Sequence, residues 1–119
     1  MMKTIPLYLI FLTGLNLPPS AGSRVKAVKP ESARTAVQLY RKYCSSCHGV
    51  DGQAKTVKAK FNHARNITDP AWQNEVSDER IFNSIMNGRN VRGNMPAFSK
   101  KISEEEADAL VTYVRSLKK

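Results

Sequence analysis

Both cysteines of the chain and one of its two histidines fall inside five residues, Cys44-Ser45-Ser46-Cys47-His48. A chain that gathers its thiols in this way commits one short segment to a chemical task, and the rest must fold so as to present it. The segment follows a stretch, Glu31 to Tyr43, in which Ala33, Ala36, Val37, Tyr40 and then Cys44 recur near helical spacing. A helix is therefore expected to deliver the chain directly into the cysteines.

Little core is available for this. The chain has 119 residues, and its front reads as a secretory signal. Lys3 precedes Ile5, Leu7, Leu9, Ile10, Phe11 and Leu12, and the helix-breaking, small-residue string Pro18-Pro19-Ser20-Ala21-Gly22 comes after them. Pro6, Asn16 and Pro18 interrupt the apolar run, which falls short of the roughly 20 residues that a spanning helix needs. Cleavage after Gly22 is expected in preference to an uncleaved anchor. The expected organisation is a signal peptide over 1–22, a flexible basic leader over 23–31 and one folded domain over 32–119.

The 19 basic and 10 acidic residues give a net charge of +9, and the first 22 residues hold one lysine and no acid, so +8 remains after cleavage. Such a charge suits nucleic acid, an anionic membrane surface or acidic protein partners. Nucleic acid is excluded on pattern, because the cations are spread along the chain with no interleaved aromatic platform for stacking bases.

Two more helices are legible and no strand is. Ser77 followed by Asp78 and Glu79 is a good helix start, and Ile81, Phe82, Ile85 and Met86 give paired i,i+4 rows up to Asn87 and the stop at Gly88. Ser103-Glu104-Glu105-Glu106 is a capping box before the stripe Ala107, Leu110, Val111, Val114 and Leu117. From Gly49 through the Lys-rich 55–60 segment to Asp69-Pro70 no period is sustained, and a long loop is expected. The fold class is all-α.

C-x-x-C-H admits a redox or disulfide-forming thiol pair, a metal site, or thioether attachment of haem. A thioredoxin-like dithiol needs a preceding strand and a βαβ setting, which the leading helix contradicts. Zinc needs four ligands, and the chain offers two cysteines, His48 and one further histidine, His63. Haem attachment fits both the motif and the export signal. Two cysteines three apart at the end of a helix reach the two vinyl groups on one edge of the ring, and the adjacent histidine reaches the iron. Cys44 and Cys47 are the expected thioethers and His48 the proximal ligand of a single haem c. The ring would also supply the apolar body that a domain this small lacks.

The candidates for the sixth iron position are Met86, Met95, His63, water or nothing. Met86 falls on the apolar face of the second helix and is assigned to packing. Met95 sits in the Gly- and Asn-rich stretch NGRNVRGNMPAF, stiffened by Pro96 and 47 residues beyond His48, and is the expected distal ligand. His63, in a basic loop, is its rival.

On "LYRKYCSSCHG", "ITDPAW", "MPAF" and the closing helix "EEADALVTYVRSLKK", the chain resembles the class I monohaem c-type cytochromes, and its overall look is nearer to the small bacterial members. The resemblance implies a cytochrome c-like fold of three to four helices with long loops wrapped around one covalently bound haem. It implies that the first and last helices cross closely, with Ala36 as the small residue and Tyr113 as the aromatic. It also implies that Trp72, Arg65 and Asn66 lie near the haem or its propionates. One departure stands out. Mitochondrial-type relatives have a Gly-Pro pair whose carbonyl accepts the proximal histidine's other N–H, and this chain has no proline between Val50 and Asp69.

An iron with His and Met on its axis leaves no position for substrate, so a non-enzymatic electron carrier is expected. Its partners would be acidic-surfaced redox proteins, an oxidase or a dehydrogenase, steered by the lysines of 55–60 and by Lys100 and Lys101. Membrane association would be peripheral at most, with the protein a monomer or a subunit of a redox complex, exported to a bacterial periplasm. Two alternatives stand: a cytochrome subunit of a larger redox enzyme, and a haem sensor or peroxidase-like protein if Met95 is not a ligand.

Overall fold

The computed structural model describes residues 34–119; the expected signal peptide and basic leader lie outside them. Six helical segments run in order: α1 (Ala36–Tyr43), α2 (Ser45–His48), α3 (Val57–Asn62), α4 (Pro70–Glu75), α5 (Asp78–Asn87) and α6 (Glu104–Ser116). Among the described residues there is no strand, only one isolated antiparallel bridge between Arg89 and Met95. The all-α expectation holds.

The three helices legible in the sequence are α1, α5 and α6, and they build the core. Both α1 and α5 pack on α6. Their contact is made by Leu39 and Tyr40 of α1, Ile81 and Ile85 of α5, and Ala107, Leu110, Val111 and Val114 of α6. Leu110 and Leu39 are fully buried, each a contribution of about 1.5–3 kcal/mol relative to exposure. Met86 packs against this cluster, as its helical spacing requires. At the α1–α6 crossing the aromatic partner of Tyr113 is Tyr40, one turn beyond Ala36, with ring centroids 4.9 Å apart.

The first helix is shorter than expected. Arg34 and Thr35 are not helical; the Thr35 side chain accepts from Gln38 N, and the Gln38 side chain accepts from Thr35 N, a capping box that starts the helix at Ala36. The expected loop after Gly49 also needs correction, because it contains α3. Thr56 caps that helix through its side chain, but only Ala59 of its residues is buried, so no apolar stripe marks it. The loop ends at Asp69 and Pro70 as expected, and there α4 opens: the Asp69 carboxylate accepts from Ala71 N, and Pro70 takes the first-turn position where a missing N–H is harmless. Ser77 and Ser103 cap α5 and α6 where expected.

The short segments are tied down by polar contacts. Gln73 of α4 is buried and donates to the carbonyls of Ile67 and Val114, at 2.7 and 2.9 Å. Arg115 of α6 donates to the backbone carbonyls of Gln73 and Val76, to the Gln73 side chain, and to Asp78 at 2.7 Å. Beyond α5, Phe98 N and Ser99 N donate to the carbonyls of Ile85 and Met86, completing the open end of that helix.

Candidate haem site

The end of α1 turns into α2 at Cys44, which caps both, so the two cysteines and His48 share two successive short turns of helix. Tyr40 anchors the exit from α2: its hydroxyl, buried, donates to the Gly49 carbonyl at 2.7 Å. That buried phenol is held well above its ordinary value, by burial first and then by neighbouring acidic groups.

Cys44, Cys47 and His48 open onto one cavity of about 1200 Å³. Its walls are largely apolar, with Tyr40, Ile67, Trp72, Ile81, Ile85 and Phe98 among them. Lys42, Lys58, Arg65, Arg80, Arg89 and Arg92 also line it, against the single carboxylate of Glu75. A flat apolar macrocycle with two propionates needs such a slot: apolar walls, two thiols and an imidazole on one side, and cations for the carboxylates. The residues present fit the group. Burial, aided by Cys47, pushes the Cys44 thiol up to about 12.

His48 Nδ1 lies 2.9 Å from the carbonyl oxygen of Arg65. A carbonyl only accepts, so Nδ1 carries the proton and Nε2 is left unprotonated, as a metal ligand must be. Burial holds the imidazole below its ordinary value, opposed by the Arg65 carbonyl. The acceptor that the missing Gly-Pro pair left unassigned is therefore the backbone of Arg65. Sequence reasoning could not have found it, because a backbone carbonyl carries no residue signature.

Met95 lines the same cavity, and Met86 does not. The Met95 backbone is held on both sides by Arg89, with Arg89 N donating to the Met95 carbonyl at 2.9 Å and Met95 N to the Arg89 carbonyl at 3.0 Å. Gly88 makes this closure possible. It has φ +75°, and a Cβ there would lie 2.7 Å from the Met95 oxygen. His63 is exposed and also lines the cavity. Trp72, Arg65 and Asn66 line it too, with the Arg65 guanidinium 5.9 Å from the Trp72 ring centre. Of the lysines expected to steer partners, Lys58 and Lys101 reach the cavity.

A helical domain whose first two helices present C-x-x-C-H to an apolar, cation-rimmed slot is of the c-type cytochrome class. The family model described as "Cytochrome C oxidase, cbb3-type, subunit III" matches residues 31–114, and the chain belongs to that family. It is 31% identical over 85 residues to cytochrome c-553 of Helicobacter pylori, covering 71% of this chain and 80% of that one. It is 29% identical over 86 residues to the cbb3-type cytochrome c oxidase subunit FixP of Azorhizobium caulinodans, covering 72% of this chain but 27% of FixP, so the match spans about a quarter of that relative. The solved KustC0563 c-type cytochrome is similar at TM-score 0.65 and 38% identity, over 72% of this chain and all of that one. The protein is thus a small single-haem c-type cytochrome of cytochrome c-like fold, an electron-transfer protein with covalently bound haem c. Among the described residues no helix is long and apolar enough to cross a membrane.

Proposed function

We propose that this chain is an exported, non-enzymatic electron carrier in which Cys44 and Cys47 hold the haem, His48 is the proximal iron ligand and Met95 the distal one. When bound, the haem supplies a one-electron couple. The observation that carries the reading is the His48 Nδ1–Arg65 carbonyl contact of 2.9 Å on the cavity that Met95 also lines. That hydrogen bond fixes the ring orientation and makes the imidazole electron-rich. The Arg89–Met95 bridge and the Phe98–Ile85 hydrogen bond hold the backbone on either side of the thioether, so the methionine is kept in place and needs little rearrangement between oxidation states. A thioether favours the ferrous state and raises the potential. The periplasm is the compartment that fits the signal-like front of the chain.

The test is the mass of the denatured protein after expression with haem-attachment machinery. Mass equal to the polypeptide after signal cleavage plus one haem, with the haem lost when Cys44→Ala and Cys47→Ala are combined, supports the reading; haem released on denaturation of the wild type contradicts it.

A second reading is favoured by the family description and by FixP, which is by name an oxidase subunit. In it the same domain serves inside a larger redox complex. Stable co-purification with membrane-bound oxidase subunits from the native host would favour that reading over a free shuttle.

A further inference from the structure

Two segments that contribute to the slot, residues 52–68 and 80–103, hold no acid. The first carries Lys55, Lys58, Lys60 and Arg65, and the second Arg80, Arg89, Arg92, Lys100 and Lys101. The two segments meet at the end of α3. Asn94 N donates to the Asn62 carbonyl at 3.1 Å, and Gly93 approaches so closely that a Cβ there would lie 2.4 Å from that oxygen.

Within this cationic field α3 turns an apolar stripe outward. At about 100° per residue, Val57 and Phe61 fall together opposite buried Ala59, with Lys58 on one flank and Lys60 on the other. Val57 is 71% and Phe61 80% exposed, and Val91, 73% exposed, belongs to the loop bonded to the end of the helix. A single exposed apolar residue means nothing. A pair at i,i+4, flanked by lysines of which Lys58 lines the cofactor slot, is a built surface.

The stripe is joined to the haem-attachment turn. Thr56, the cap of α3, donates through its hydroxyl to the Cys47 carbonyl at 3.0 Å, and Asn62 Nδ2 faces Cys47 Sγ at 3.8 Å. The residues that bracket the stripe, Thr56 and Asn62, are therefore the ones that touch Cys47.

We propose that the outward face of α3, Val57 and Phe61 between Lys58 and Lys60, is where an electron-transfer partner protein docks, and that the partner presents an apolar contact rimmed by Asp and Glu side chains. The proposal rests on the carrier function above and adds the face that carries it. Charge complementarity selects the occupant: a basic or purely polar surface would meet like charge or leave Phe61 in water. A small apolar centre anchored by an aromatic, with a charged rim, suits a brief contact that steers quickly and releases quickly. The exchange moves one electron from one protein to the other, oxidising the first and reducing the second, with no proton or ligand transferred.

The experiment uses the full chain with haem attached, and as probe an oxidised copper protein of the plastocyanin type, which has an apolar patch beside a carboxylate cluster. Reduced cytochrome gives one electron to the cupric probe, and the second-order rate is read by stopped flow at several salt concentrations. Phe61→Ser is expected to lower the rate about five- to tenfold while keeping the salt dependence. Lys60→Glu is expected to lower the rate and flatten the salt dependence. Lys118→Glu makes the same charge change at a lysine bonded to Asn74 of α4 at 2.6 Å, and is expected to stay near the wild-type rate. An unchanged haem spectrum and thermal midpoint in each variant show that the fold is intact. Three outcomes overturn the proposal: Phe61→Ser reacting at the wild-type rate, Lys118→Glu slowing the exchange as much as Lys60→Glu, or a wild type that does not react with the probe. Binding to vesicles of phosphatidylcholine and phosphatidylglycerol that Phe61→Ser abolishes, with the exchange rate unchanged, overturns it in favour of an anionic bilayer. The rate ratios between variants do not depend on which residue is the sixth ligand, so failure of the Met95 assignment and failure of the docking face are told apart.

Discussion

Gly93 lies against the carbonyl oxygen of Asn62, close enough that any Cβ at position 93 would come within 2.4 Å of it. That approach joins α3 to the loop that carries Met95, since the next residue, Asn94, donates its N–H to the same oxygen. Gly93→Ala forces the two apart. The expected result is a loss of about 1–3 kcal/mol of stability from overpacking, together with a weakened hold on Met95. Denaturant unfolding reads the first, and faster binding of carbon monoxide to the reduced protein reads the second; wild-type values in both would contradict the role given to this contact.

Arg115 ties α6 to α4 and to the start of α5. It serves the carbonyls of Gln73 and Val76 and the Gln73 side chain, while its ion-pair partner Asp78 is 72% exposed. Removing the guanidinium strands part-buried carbonyls; removing Asp78 strands nothing. Arg115→Ala is expected to cost about 2–4 kcal/mol and Asp78→Ala under about 1 kcal/mol in denaturant unfolding. Equal losses would show that the ion pair, not the carbonyl contacts, matters.

Arg34 reaches from the start of α1 to Glu106 at 2.7 Å, to the Lys101 carbonyl at 2.9 Å and to the Tyr43 hydroxyl at 3.2 Å. The Arg34 hydrogen bond holds the Glu106 carboxyl below its usual value of 4.5. A carboxyl lowered in the folded state binds fewer protons than in the unfolded one, so its stabilisation is present above the unfolded value and lost as pH falls through the folded one. Wild type is therefore expected to exceed Glu106→Gln in stability near neutral pH and to converge with it as the solution is acidified below pH 4.5, with the gap narrowing in salt. A gap that persists at low pH would contradict the ion-pair origin.

What the sequence revealed and what it hid have the same cause, namely how much of a helix is buried. The helices α5 and α6 bury one full face each and start at Ser77 and Ser103, so periodicity and caps agree. The helix α3 buries Ala59 alone, and its most prominent apolar residues, Val57 and Phe61, face outward; a hydrophobic period could not have found it, although Thr56 as a cap was present to be read. The six residues of α4 are too few for a period, but Asp69-Pro70 is itself a start signal. At the site, the side chains Cys44, Cys47, His48 and Met95 were named from their types and spacing, and the cavity brings all four together. The Arg65 carbonyl, the Asn62–Gly93 approach and the carbonyls that Arg115 serves are backbone partners on distant segments, which residue identity does not encode. The cationic rim was half legible: the acid-free stretches can be counted in the sequence, but not that they border one slot.

The central claim is that His48 and Met95 share one iron, and the most direct measurement is the optical spectrum of the oxidised full chain with haem attached, compared with Met95→Ala and Met86→Ala. The account predicts a low-spin ferric spectrum with the faint red band of sulfur-to-iron charge transfer, kept in Met86→Ala and absent in Met95→Ala. A wild type without that band, or a band that survives in Met95→Ala, would contradict the assignment and return the sixth position to His63 or water.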